Sequence, residues 1–125
     1  MKRDMDRVRA ILLQIESLKG PSLKDLIEDG TTNEDFEELV YNLNLLVEAG
    51  FVSGIEAHTM RSKNWGRLDL TWQGHEFLDD IRDSNIWRMT KEGAVAVGGA
   101  SVKVLWEMAK GYIKSEAARP GIPIG

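Results

Sequence analysis

The sequence has no cysteine, which excludes a disulfide framework, a thiolate metal site and a cysteine nucleophile. Proline is scarce: two of the three, Pro120 and Pro123, lie near the carboxy terminus, leaving Pro21 as the one interior break. Long apolar runs are missing too. Ile11 to Leu13 and Ala94 to Val97 fall far short of the roughly 20 residues that a bilayer crossing needs, so no membrane span is expected. The start is charged (Lys2, Arg3, Asp4, Asp6, Arg7, Arg9) and lacks the apolar stretch of a secretory leader, which points to the cytoplasm. One further absence is of charge sign. Between Asp25 and Met60 there are nine acidic residues and no Lys or Arg.

What is present suits one domain with a helical appendage. The chain has 125 residues, 42% of them hydrophobic, enough to bury a single core. The net charge of −4 conceals segregation, because residues 1–24 hold six basic and three acidic side chains and Arg61 to Arg67 holds three basic and no acidic ones.

Met5, Val8, Ile11, Leu12, Ile15 and Leu18 recur at helical spacing, and Gly20-Pro21 ends that helix. Ser22 to Asp29 is read as a short second helix around Leu23, Leu26 and Ile27, closed by Gly30. Thr31 with Glu34 fits a capping box, so a third helix begins near Thr32. Its apolar face is Phe36, Leu39, Val40, Leu43, Leu46 and Val47, and Gly50 terminates it. Phe51 to His58 reads as a strand with Phe51, Ser53, Ile55 and Ala57 on one side. A second strand, Arg67 to Trp72, alternates Leu68 and Leu70 against Arg67, Asp69 and Thr71, and the polar loop Thr59 to Gly66 lies between the two.

Thr71 then caps a helix carrying Phe77, Leu78 and Ile81, followed by a short helical turn around Trp87 to Glu92. Gly93 to Ala100 is expected to be a hinge or packed linker. Ser101 caps a last helix whose stripe is Val102, Leu105, Trp106, Ala109, Tyr112 and Ile113. The order helix, helix, helix, strand, wing, strand predicts an α+β, mainly helical fold, a winged helix-turn-helix core over residues 1–83. A helical extension over 84–118 and a flexible tail over 119–125 follow.

Three stretches carry a resemblance: Met1 to Leu13 (MKRDMDRVRAILL), Leu46 to Val52 (LVEAGFV) and Leu70 to Asp83 (LTWQGHEFLDDIRD). Together they resemble a family of short, uncharacterised bacterial and prophage proteins catalogued only as a domain of unknown function. The Leu-Thr-x-x-Gly step is shared more widely among winged-helix proteins. The resemblance implies a phage or prophage gene product with a winged-helix core and no assigned catalytic residues.

The third helix stands where a helix-turn-helix protein reads DNA, yet Glu34, Asp35, Glu37, Glu38 and Glu48 would face a phosphate backbone that repels them. Glu34, Asp35, Glu37 and Glu38 are therefore either a solvated surface or a docking face for a basic protein partner. The wing tells the opposite story. Arg61, Lys63 and Arg67 beside Trp65 could hold phosphates and stack on a base, unless Trp65 folds back on the hairpin and the cations only solubilise its edge.

His75 and Asp79, with Glu76 and Asp80 adjacent, are spaced one helical turn apart but match no metalloenzyme motif, and His58 stands alone. No nucleophile, phosphate loop, cofactor site or metal site is expected, and so no enzyme. Trp87 and Trp106 either staple the last helices to the core or form an exposed patch, the basis for expecting a homodimer through the terminal helices.

Overall fold

A computed structural model describes residues 3–57, 60 and 64–117. The fold is α+β and mainly helical: α1 (Met5–Ser17), a 3-10 turn (Leu23–Leu26), α2 (Asn33–Glu48), β1 (Val52–Glu56), β2 (Trp65–Leu70), α3 (Trp72–Ile81), α4 (Ser84–Ala96) and α5 (Val102–Ala117). Two compact units divide the chain inside α3, at residues 75 and 76.

In the first unit, α1 starts where the Asp4 carboxylate accepts the Arg7 N–H, and it buries Val8, Ile11, Leu12 and Ile15. The expected second helix is only a 3-10 turn. Pro21 stands just before it, the Asp25 carboxylate caps back onto the Ser22 N–H, and Ile27 is already extended, so four residues remain for a helix. The cap of α2 is one residue later than expected. Thr32 Oγ1 accepts the Asp35 N–H at 3.1 Å, while the Thr31 hydroxyl turns back to the Glu28 carbonyl.

Helix α2 buries Leu39, Val40, Leu43 and Leu46, each worth about 2 kcal/mol of transfer free energy, and these meet α1 and the hairpin. Gly50, at φ +83°, ends the helix in the left-handed region.

β1 and β2 form a two-stranded antiparallel sheet in which Val52 faces Leu70, Ser53 faces Asp69, Ile55 faces Gly66 and Glu56 faces Trp65. Gly54 therefore opposes both Arg67 and Leu68, a bulge on β2 with Arg67 at φ +49°. The parity of β1 differs from expectation because the strand starts at Val52 rather than Phe51. Val52 is buried, whereas Ser53, Ile55 and Ala57 are exposed, and Phe51 is buried only because it lies before the strand. A Cβ on Gly54 would lie 2.8 Å from Leu68 Cδ2, so glycine lets the strands close over that side chain. The outer edge of β2 is also engaged: the Leu68 N–H donates to the Pro21 carbonyl at 2.9 Å.

Thr71 closes the unit, accepting the Gly74 N–H at 3.0 Å as the cap of α3 and donating its hydroxyl to the Gly50 carbonyl at 2.6 Å.

In the second unit, Phe77, Leu78 and Ile81 of α3 are fully buried. Helix α4 begins at the Asp83 cap and runs 13 residues, much longer than the expected turn. Gly93 to Ala96, expected as linker, continue this helix, and Gly93 faces the Met108 and Tyr112 side chains of α5. Only the segment at Gly98 (φ +83°) and Gly99 (φ +116°) breaks it. Ser101 then accepts the Val104 N–H to start α5, which buries Val102, Leu105 and Ala109. Among the described residues, no helix is long and apolar enough to cross a membrane.

Candidate functional site

At 100° per residue, the outward stripe of α2 comprises Glu34, Glu37, Glu38, Tyr41, Leu45 and Glu48. Glu34, Glu37 and Glu48 are exposed, and Glu38, Tyr41 and Leu45 are half-buried. The stripe is thus a row of carboxylates around one aromatic and one aliphatic side chain. Asp35 lies beside it in the first turn, where its charge and that of Glu34 complement the positive end of the helix dipole. Glu38 faces the Arg7 guanidinium across 3.8 Å, both side chains about one-third exposed, so one carboxylate of the row has a cation beside it.

The inner face of α2 fixes how that row is presented. Asn42 is fully buried; its Nδ2 donates to the Glu38 carbonyl at 2.8 Å and its Oδ1 accepts the Asp4 N–H at 2.9 Å. One amide therefore ties the start of α1 to the middle of α2. Beside this joint an open groove of about 540 Å³ runs between α1, the 3-10 turn and α2, with Ala10, Leu26, Ile27 and Leu39 on its apolar side and Glu28 and Asp35 among its acids. Its acidity continues that of the first turn of α2.

The four acidic residues singled out from sequence, Glu34, Asp35, Glu37 and Glu38, thus lie together on the first two turns of α2. Of the four residues expected in a basic wing, Trp65 and Arg67 lie among the described residues. Arg61 and Lys63 lie outside the described residues, as do His58 and residues 118–125. Arg67 is exposed at the bulge.

Trp65 requires correction as a stacking platform. It is 5% exposed, and its indole N–H donates to Asn44 Oδ1 on α2 at 3.2 Å, so the ring belongs to the core and to the α2–hairpin joint. The alternation of β2 places Trp65 on the same buried side as Leu68 and Leu70 once the bulge adds a residue between them.

The carboxylates considered for a metal have other partners: Asp79 pairs with Arg82 at 3.1 Å, and Asp80 accepts the Trp106 indole N–H at 2.7 Å. Among the described residues no group of three or more His, Cys, Asp or Glu could hold a metal ion. Of the two readings of Trp87 and Trp106, a staple or an exposed patch, their burial and contacts fit the staple. Trp87 is 4% exposed, and Trp106 packs against Phe77 at a tilt of 45° with Lys110 Nζ 3.9 Å from its ring centroid. These indoles staple the helices of the second unit.

Sequence reasoning passed over Asn42 and Asn44. Asn42 was detectable, since a polar residue between Leu39 and Leu43 falls on the inner stripe where only a hydrogen-bonded side chain is tolerated.

No solved structure matches the chain. It is 38% identical over 91 residues to an uncharacterized protein of Haemophilus influenzae, an alignment covering 73% of this chain and 76% of that one. The model of a family described as Hypothetical protein (DUF2513) matches residues 2–101, which is every described element before α5. The chain therefore belongs to this family of hypothetical proteins.

Proposed function

We propose that the chain is a phage- or prophage-associated winged-helix module that binds rather than catalyses, and that the outward stripe of α2 engages a basic protein of host machinery. The observation that carries the reading is the sign of that stripe: Glu34, Glu37, Glu38 and Glu48 surround Tyr41 and Leu45 with no Lys or Arg between Asp25 and Met60. A duplex offers a negative charge about every 1.7 Å, so the same stripe opposes DNA at the position where a winged helix would present it. A cationic protein surface instead gains steering from the carboxylates and contact area from Tyr41 and Leu45.

The winged-helix reading is supported by element order and by the Leu68 to Pro21 hydrogen bond, which ties the segment after α1 to the outer edge of the hairpin. The prophage setting comes from the resemblance of the start, the α2–β1 joint and the β2–α3 segment.

The test is affinity capture from bacterial host lysate with wild-type chain and with Glu34→Lys/Glu37→Lys, the captured proteins being identified and then titrated in purified form. A partner of high isoelectric point, released by salt and weakened at least about tenfold by the double reversal, is the expected result. Binding that is indifferent to the reversal, or selective duplex binding through α2, would sink the reading.

A further inference from the structure

Helices α2 and α5 carry outward stripes of opposite sign. On α5 the buried Val102, Leu105 and Ala109 lie on one side, and at 100° per residue the opposite side is Lys103, Glu107, Lys110 and Lys114, all exposed. Three ammonium groups thus stand with one carboxylate, and Glu116 is half-buried and off the stripe. On α4, which packs against α5, Arg88 and Glu92 offset each other in an ion pair at 3.2 Å, and Lys91 lies over the Trp87 ring. The stripe of α2 holds four carboxylates, Glu34, Glu37, Glu38 and Glu48, with Asp35 beside them and Arg7 next to Glu38.

The stripes also match in length. Each already contains one ion pair, Lys110 with Glu107 at 2.8 Å on α5 and Arg7 with Glu38 at 3.8 Å on α2. That leaves Lys103 and Lys114 on one helix and Glu34, Glu37 and Glu48 on the other, whose side chains make no ion pair or hydrogen bond among the described residues. Glu37 and Glu48 are eleven residues apart, and so are Lys103 and Lys114. Eleven residues are close to three helical turns, so each pair lies on one line along its helix, about 16.5 Å apart along the axis. Set side by side in either direction, the helices bring both carboxylates level with both ammonium groups. The antiparallel direction also sets Lys110 level with Tyr41, where a cation can lie on the ring.

We propose that the acidic stripe of α2 receives α5 of a second copy of the chain, with Glu37 and Glu48 set against Lys103 and Lys114. Charge complementarity selects this occupant: the unpaired cations of α5 repeat at the interval of the unpaired carboxylates of α2. Tyr41 and Leu45, both half-buried, add the apolar contact that ion pairs alone lack. Exposed ion pairs are individually weak, and two helix faces together bury less than about 1,200 Å², the size of a transient interface. The association is therefore reversible and sensitive to salt. It shares its surface with the basic partner proposed above but needs no host protein, so either reading can fail while the other stands.

Sedimentation velocity of the full chain tests it, from about 10 μM to about 1 mM protein, at low salt and at about 0.5 M salt. Wild type should associate with rising concentration at low salt and dissociate at high salt. Glu37→Lys/Glu48→Lys and Lys103→Glu/Lys114→Glu each set like charge against like, and each should weaken the association at least about tenfold. All four positions are exposed, so circular dichroism of both variants should stay native. In an equal mixture of the two variants, α2 of each is again opposite in sign to α5 of the other, and association should return to the wild-type level. That recovery supports the contact, because a loss caused by misfolding would persist in the mixture. A wild-type chain that stays monomeric over the whole range, association indifferent to salt or to either reversal, or a mixture of folded variants that does not recover overturns it.

Discussion

Gly74 and Asn42 show how single positions decide the geometry of the first unit. A Cβ at Gly74 would lie 1.9 Å from the Phe51 carbonyl oxygen and 2.9 Å from its carbon, so α3 sits directly on backbone that has no freedom to retreat. Gly74→Ala is expected to cost about 3 kcal/mol, an overpacking penalty measurable by urea unfolding. A cost below about 1 kcal/mol would mean that α3 can shift. At Asn42 the loss is of hydrogen bonds. Asn42→Ala leaves the Asp4 N–H without its acceptor and should cost about 2 kcal/mol, with earlier amide exchange at the start of α1. Thr71 was readable as a cap, but the close packing of Gly74 was not. Contact with Phe51, 23 residues earlier, is a tertiary fact that local spacing does not carry.

Among the elements, α1, α2 and α5 were legible because their apolar residues recur at helical spacing over 13 to 16 residues. β1 was placed but its sides were exchanged. Phe51 belongs to the turn after α2, so a two-residue period begun there selects the exposed Ser53 and Ile55. The length of α4 was missed for a comparable reason: Gly93 reads as a break, yet it is a contact. Its virtual Cβ would lie 2.1 Å from the Tyr112 hydroxyl and 2.7 Å from Met108 Cε, both far ends of flexible side chains on α5. Gly93→Ala should therefore change stability by less than about 1 kcal/mol, because the gain in helix propensity offsets the shift of those two side chains. Gly93→Leu has no such escape and should cost about 3 kcal/mol. Thermal unfolding that ranked Gly93→Ala as severe as Gly74→Ala would refute the distinction between a backbone neighbour and a side-chain neighbour.

On the scale of the whole molecule, the family match stops at residue 101, one residue before α5 begins, although α5 is built into the second unit. It packs on α4, buries Leu105 and Ala109, and brings Trp106 to Phe77 and Asp80 of α3. A 13-residue helix such as α4 is marginal in water without a packed face, so α4 depends on a helix that the family model does not include. Removing residues 102–125 should then lower the helical signal at 222 nm by more than the 16 residues of α5 alone, with protection lost across α4 in hydrogen exchange. The acidic stripe of α2, which is anchored by Asn42 and Thr32 within the first unit, should retain its exchange protection and the partner binding proposed for it in that truncated chain. If the helical loss matches α5 only, the helices before residue 101 hold α4 by themselves, and α5 is an addition rather than a structural requirement.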